Sequence, residues 1–162
     1  MAGWVPAVRP EVAVQVLVLG ATGYVGGRLV PELLAAGHRV RCAVRRPAKL
    51  EARPWREQVD VVPADVTDPD DMARAVAGAD AVVYLIRAVD GRPDLADRER
   101  AGAAVVRDAA AAAGVGRIVY LGELGDADTS ERVRERQAVG RTLAEGPVPV
   151  TELRAGVIIG SG

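Results

Sequence analysis

Two hydrophobic rhythms alternate along the chain. Residues 12–19 are almost continuously apolar and β-branched, the pattern of a strand buried on both faces. Val40, Cys42 and Val44 then alternate with Arg41, Ala43 and Arg45, as a second strand does. Further short apolar runs at 59–62, 81–86, 118–121 and 150–159 predict four more strands. Helical spacing fills the gaps between them. Leu29, Val30, Leu33 and Leu34 predict a helix over 24–36, stopped by Gly37, although Pro31 lies past its first turn and fits poorly. Asp68 before Pro69 reads as a cap and first-turn proline for a helix ending near Ala77. Asp94 opens an Ala-rich helix that closes at Gly114, and Ser130 caps a fourth helix running to about Ala144. The segment between the second and third strands, rich in Pro, Arg and Glu, carries no assignable period.

Strands and helices in strict alternation require crossover connections, so the predicted fold class is α/β: a doubly wound parallel sheet of about six strands, order 3-2-1-4-5-6. At 162 residues the chain suits a single domain over 1–162, with 1–11 expected as a flexible leader.

The first strand runs straight into GATGYVGG. Gly20 suits a tight turn, Gly23 lets a pyrophosphate approach backbone N–H groups at a helix N-terminus, and Gly26 permits close packing of helix on sheet. Thr22, Tyr24 and Val25 share that turn and complete the candidate phosphate-binding set. Glycines serving only a strand-to-helix turn are the competing reading.

The spacing Gly-x-x-Gly-x-x-Gly within LVLGATGYVGG resembles the extended and atypical short-chain dehydrogenase/reductase families, whose fold is the Rossmann fold. GHRVRCAVRRPAKL, ADVTDPDDM, GVGRIVYLG and VTELRAGVIIGSG extend the resemblance along nearly the whole chain, toward NmrA-like NAD(P)H-binding proteins. About 20 residues after the glycines, where an NAD site carries a carboxylate for the ribose 2′-OH, stand Arg45 and Arg46. A guanidinium binds a 2′-phosphate bidentately, so NADP(H) is expected over NAD(H), with Lys49 adding a third charge. A solvated basic strand edge is the alternative. The resemblance further implies that Asp65 and Val66 line an adenine pocket and that Leu85, Ile86 and Arg87 flank the ribose and nicotinamide. Asp65 reads equally well as a loop carboxylate with local turn hydrogen bonds, and Arg87 as a solvated strand-end charge.

Relatives of this type relay a proton through a Tyr-x-x-x-Lys pair, and the chain contains none. Aligning VRERQAVGR with the relatives' catalytic helix puts Val133 at the tyrosine and Gln137 at the lysine, and Gly122 or Glu123 replaces the serine after strand five. The catalytic residues are therefore unassigned. Arg87, Asp90 and Glu123 are the nearest substitutes, with salt bridges or solvated loop charges as their simpler reading. The resemblance also implies a helical substrate-binding portion after VIIGSG that is absent from this sequence.

Composition narrows the function classes. A net charge of -1 gives no basic field for nucleic acid, and 49% hydrophobic with 27% charged residues argues against disorder. The leader lacks an apolar h-region, and no apolar run reaches the ~20 residues needed to cross a bilayer. One cysteine points to a reducing, cytoplasmic compartment. Cys42 and His38 lack the neighbours of a metal site and read as a buried thiol and a solvated turn residue. Trp4 and Trp55 read as packing anchors, with Trp55 a second candidate for the adenine border. The expected function is an NADP(H)-binding module that binds or senses the dinucleotide, together with an unknown small molecule or regulatory protein. A quinone- or flavin-reductase-like oxidoreductase with a non-standard proton source, and a cofactor-free interaction domain, are the alternatives.

Overall fold

The computed structural model describes residues 12–87, 95–126, 128 and 130–160. The leader, Trp4, Asp90 and the Asp94 cap lie outside the described residues. The elements in chain order are β1 (Gln15–Leu19), α1 (Tyr24–Ala35), β2 (Arg39–Val44), β3 (Asp60–Pro63), α2 (Pro69–Val76), β4 (Ala81–Tyr84), α3 (Leu95–Ala112), β5 (Arg117–Glu123), α4 (Glu131–Ala144) and β6 (Val150–Ala155). The six strands pair in parallel in the order β3-β2-β1-β4-β5-β6, as the alternation predicts.

β1 is central, and all five of its residues are buried. Its period-two alternation sends Val16 and Val18 toward α1, where they meet Val30, Cys42, Leu50 and Trp55. Leu17 and Leu19 face α2, α3 and α4, packing with Met72, Ala103, Val106, Val139 and Leu143. Two cores thus sandwich one sheet, which fixes the strand ends that form the site.

Some strands are shorter than their apolar runs. β4 stops at Tyr84, opposite the last residue of β1, so Leu85 and Ile86 leave the sheet. β6 stops at Ala155, opposite the last residue of β5, and 156–159 continue unpaired.

Caps follow the sequence. The Asp68 carboxylate accepts the N–H groups of Asp70 and Asp71 at 2.9 and 3.0 Å, and Ser130 accepts that of Val133. At the far end of α2, Arg41 from β2 donates to the carbonyls of Ala75 and Ala77. The unassigned segment forms two 3-10 turns, Pro47–Leu50 and Arg56–Gln58, that bury Leu50 and Trp55. Pro31 lies inside α1 without ending it. A proline there deprives the Gly27 carbonyl of its donor, and the Trp55 indole N–H supplies one at 3.3 Å. Among the described residues no helix is long and apolar enough to cross a membrane.

Candidate functional site

Between β1 and α1 the chain turns through Gly20 at φ +101°, a left-handed conformation that glycine adopts at little cost. The Gly23 N–H donates to the Gly20 carbonyl at 3.1 Å and closes the turn. A Cβ on Gly26 would stand 2.3 Å from the Gly20 oxygen and 2.7 Å from Ala21 Cα, so helix and loop can meet only over a glycine. At Gly23 the sole neighbour of an added Cβ is the Gly20 oxygen at 3.4 Å, an ordinary contact. The loop itself therefore needs Gly20 and Gly26, whereas Gly23 leaves space open above the N-terminus of α1. That N-terminus has no side-chain cap and no acidic residue in its first turn, which suits an anion.

A cleft of about 840 Å³ runs along the C-terminal edge of the sheet. Gly20, Thr22, Gly23, Tyr24, Val25 and Gly26 line it from the glycine loop. Arg45, Arg46 and Lys49, all exposed, line it after β2; Asp65 and Val66 after β3; Leu85, Ile86 and Arg87 after β4. All of these candidate cofactor residues thus border one cavity, at the strand ends where open parallel sheets bind ligands, and Trp55 alone of the cofactor candidates does not. Asp65 shows both of its readings. Its Oδ1 accepts the Thr67 N–H at 3.0 Å and the Thr67 hydroxyl at 2.8 Å, and the residue also borders the cleft. The Thr67 backbone N–H above all holds this carboxyl below its usual range, helped by the Thr67 hydroxyl and the nearby Arg45 and Arg98 against partial burial.

α3 and α4 contribute residues that sequence reasoning missed. Arg136 is only 6% exposed; it donates to the Ile86 carbonyl at 3.0 Å and the Leu121 carbonyl at 2.7 Å, tying together the ends of β4 and β5. Its guanidinium also lies 3.7 Å from the Glu99 carboxylate and over the Tyr120 ring. Inside ERVRERQ this arginine looks like any solvated helix charge, so no pattern marks it. Tyr84 and Tyr120 pack edge to face beneath the cleft at 5.9 Å. The Tyr120 hydroxyl donates to the Arg136 carbonyl, whereas the buried Tyr84 hydroxyl has no partner. Burial raises both phenols, Tyr120 to about 12.

Val133 is buried against Gly125, and the Gln137 amide donates to the Gly125 carbonyl. Neither lines the cleft; α4 turns Arg132 and Arg136 toward it instead, each one residue earlier. Glu123 pairs with Arg132 and lies 3.8 Å from Arg87. Of the remaining candidates, Trp55 packs beneath α1 and does not border the cleft, because its indole is committed to Gly27. Cys42 is fully buried, its thiol pushed up to about 12 by desolvation. His38 is half-buried rather than solvated, with Nδ1 accepting the Val14 N–H at 3.5 Å.

Comparison with known proteins agrees with this geometry. The NAD(P)H-binding family profile matches residues 20–146. A 3-beta-hydroxysteroid dehydrogenase from Mycolicibacterium neoaurum is 39% identical over 85 residues, covering 52% of this chain and 22% of the dehydrogenase. The triphenylmethane reductase of Citrobacter sp., solved with NADP(H), superposes with a TM-score of 0.72 at 26% identity, covering 86% of this chain and 48% of the reductase. The NADPH-dependent quinone oxidoreductase of Escherichia coli, solved with NADPH, gives 0.70 at 28% identity and the same coverage. The chain spans about half the length of these two structures and less of the dehydrogenase. Glycine loop, strand order and profile converge: the chain belongs to the NAD(P)H-binding family of short-chain dehydrogenase/reductase-like Rossmann proteins.

Proposed function

We propose that the chain is an NADP(H)-binding module of the NmrA-like type, which binds or senses the dinucleotide without Tyr-Lys catalysis. One observation carries the reading: a glycine loop left open at Gly23 faces a cleft whose far wall presents Arg45, Arg46 and Lys49 in place of a carboxylate. The residues fit the cofactor. Backbone N–H groups at the start of α1 receive the pyrophosphate, and Arg45 and Arg46 grip the 2′-phosphate. Asp65 and Val66 border the adenine, while Leu85, Ile86 and Arg87 flank the ribose and nicotinamide. When bound, the cofactor supplies a hydride, but the helix that would offer a proton donor buries Val133 instead. A single domain over 1–162 is proposed to carry this binding, and the cytoplasm is its proposed compartment.

A second reading, hydride transfer with a proton from substrate or water, is favoured by the likeness to two reductases solved with NADP(H). Equilibrium titration with NADPH and NADH tests the first reading. Tighter binding of NADPH by tenfold or more is expected; equal affinities overturn the cofactor preference, and no binding of either leaves the cofactor-free interaction domain. NADPH oxidation against quinones and flavins separates sensing from turnover.

A further inference from the structure

The chain carries a net charge of -1, yet among the described residues its cleft is lined by seven basic and three acidic side chains. Arg45, Arg46 and Lys49 face the proposed 2′-phosphate, and Arg98 acts on Asp65 at the same end. The opposite end, beside the proposed nicotinamide position, holds a second group of charges. Arg136 is spent there on two carbonyls and the Glu99 carboxylate. Arg87 and Arg132 remain, with Glu123 between them.

Glu123 is nearly enclosed, its side chain 13% exposed, while Arg87 and Arg132 are 45% and 60% exposed. One carboxylate cannot fill two five-donor guanidiniums. It pairs closely with Arg132 and leaves Arg87 at 3.8 Å, beyond hydrogen-bond reach. A single positive charge is therefore left over, with planar donors free beside the cleft. The adjoining lining is apolar, from Leu121, Val157 and Ile158, the last two exposed.

We propose that Arg87 and Arg132, held on either side of Glu123, form a subsite for a second ligand: a carboxylic acid with an apolar body. The proposal rests on the dinucleotide reading, which assigns the rest of the cleft and sets Arg87 at the nicotinamide edge, so the second ligand lies beside that end of the cofactor. A carboxylate matches the flat guanidinium fork and neutralises one surplus charge, whereas a phosphate dianion leaves a negative charge against Glu123.

Calorimetric titration of the full chain at low salt, with and without saturating NADPH, tests it with benzoate, its neutral isostere benzamide, and inorganic phosphate. Benzoate is expected to bind at least tenfold more tightly than benzamide and more tightly than phosphate. Arg132→Gln should weaken benzoate tenfold or more, and Glu123→Gln should strengthen it several-fold by freeing both guanidiniums. Equal binding of benzoate and benzamide, preference for phosphate, or weakening by Glu123→Gln overturns the subsite. NADPH affinity is read separately on each sample, so loss of dinucleotide binding refutes the underlying reading, while the cofactor-free titration still reports on the arginine pair.

Discussion

The Trp55 indole N–H donates to the Gly27 carbonyl, the acceptor that Pro31 strips of its helical partner. A buried carbonyl left unpaired costs about 1 to 3 kcal/mol, and this one is half-buried, so Trp55→Phe is expected to destabilise the protein by about 1 kcal/mol through this bond. Pro31→Ala returns an N–H to the same carbonyl. In that background the Trp55→Phe penalty should shrink by about 1 kcal/mol. Urea unfolding of the four proteins in this cycle measures the coupling, and additive effects would refute the repair.

That contact also shows where the sequence stops being legible. β1, the Asp68 cap and the glycine loop are local, each set by a few adjacent residues; cap and loop form as the pattern predicts, and β1 forms over Gln15–Leu19, starting three residues later than its apolar run. Leu50 and Trp55 are isolated apolar residues among charges, and only their packing beneath α1 explains the 3-10 turns around them. Strand ends behave likewise, since β6 stops where β5 offers no further partner. In the site, the glycine loop and Arg45 and Arg46 stand out by their spacing along the first βαβ unit, whereas Asp65, Val66, Leu85, Ile86 and Arg87 are marked only by the family resemblance; all of them border the cleft. Arg132 and Arg136 are marked by neither, because the face that α4 presents to the cleft depends on its tertiary rotation, one residue away from the aligned Val133 and Gln137.

The three glycines should separate by mutation. A Cβ at Gly23 meets nothing closer than 3.4 Å within the protein, so Gly23→Val is expected to fold while losing NADPH binding. Gly26→Ala forces a carbon against the Gly20 oxygen and should lower stability as well as affinity. Wild-type affinity in folded Gly23→Val would sink the phosphate-loop assignment.

Cofactor preference should reside in Arg45 and Arg46. Replacing both with Gln is expected to cost about 2 to 3 kcal/mol for NADPH, a fraction of two charged hydrogen bonds because both side chains are solvated, and little for NADH. Fluorescence titration with each cofactor checks this. Equal losses would leave the arginines as a solvated strand edge.

Asp65 gives a pH signature. Its carboxyl is held below its usual range by Thr67, so its contribution to stability is complete above the unfolded-state value, ~3.9, and fades as pH falls through the folded-state value. Asp65→Asn keeps the acceptor oxygen and removes the charge. The variant should be less stable than wild type near neutrality, and the gap should close in acid. Denaturant unfolding from about pH 7 down to 2.5 should trace that convergence; a gap independent of pH would assign the loss to packing.

The chain as described should reduce simple aldehydes and ketones with NADPH only at background rates. Hydride delivery to a carbonyl carbon leaves an alkoxide that needs a positioned proton donor, an effect worth ~10² to 10⁴-fold. Val133 has no proton to give and is buried away from the cleft. Arg132 and Arg136, which α4 does present there, are engaged with Glu123 and with the Ile86 and Leu121 carbonyls and Glu99 respectively. The phenols fare no better: Tyr120 is bonded to the Arg136 carbonyl, and burial makes Tyr84 a weaker acid that holds its proton more tightly. Glu123, the carboxylate described at that end, is taken up by Arg132 and faces Arg87. A broad carbonyl panel with purified protein and saturating NADPH should therefore show no turnover above the uncatalysed reaction. Turnover near ~1 s⁻¹, an ordinary enzymatic rate, would overturn the binding-module reading. Loss of that turnover in Glu123→Gln would then identify the carboxyl as its proton source.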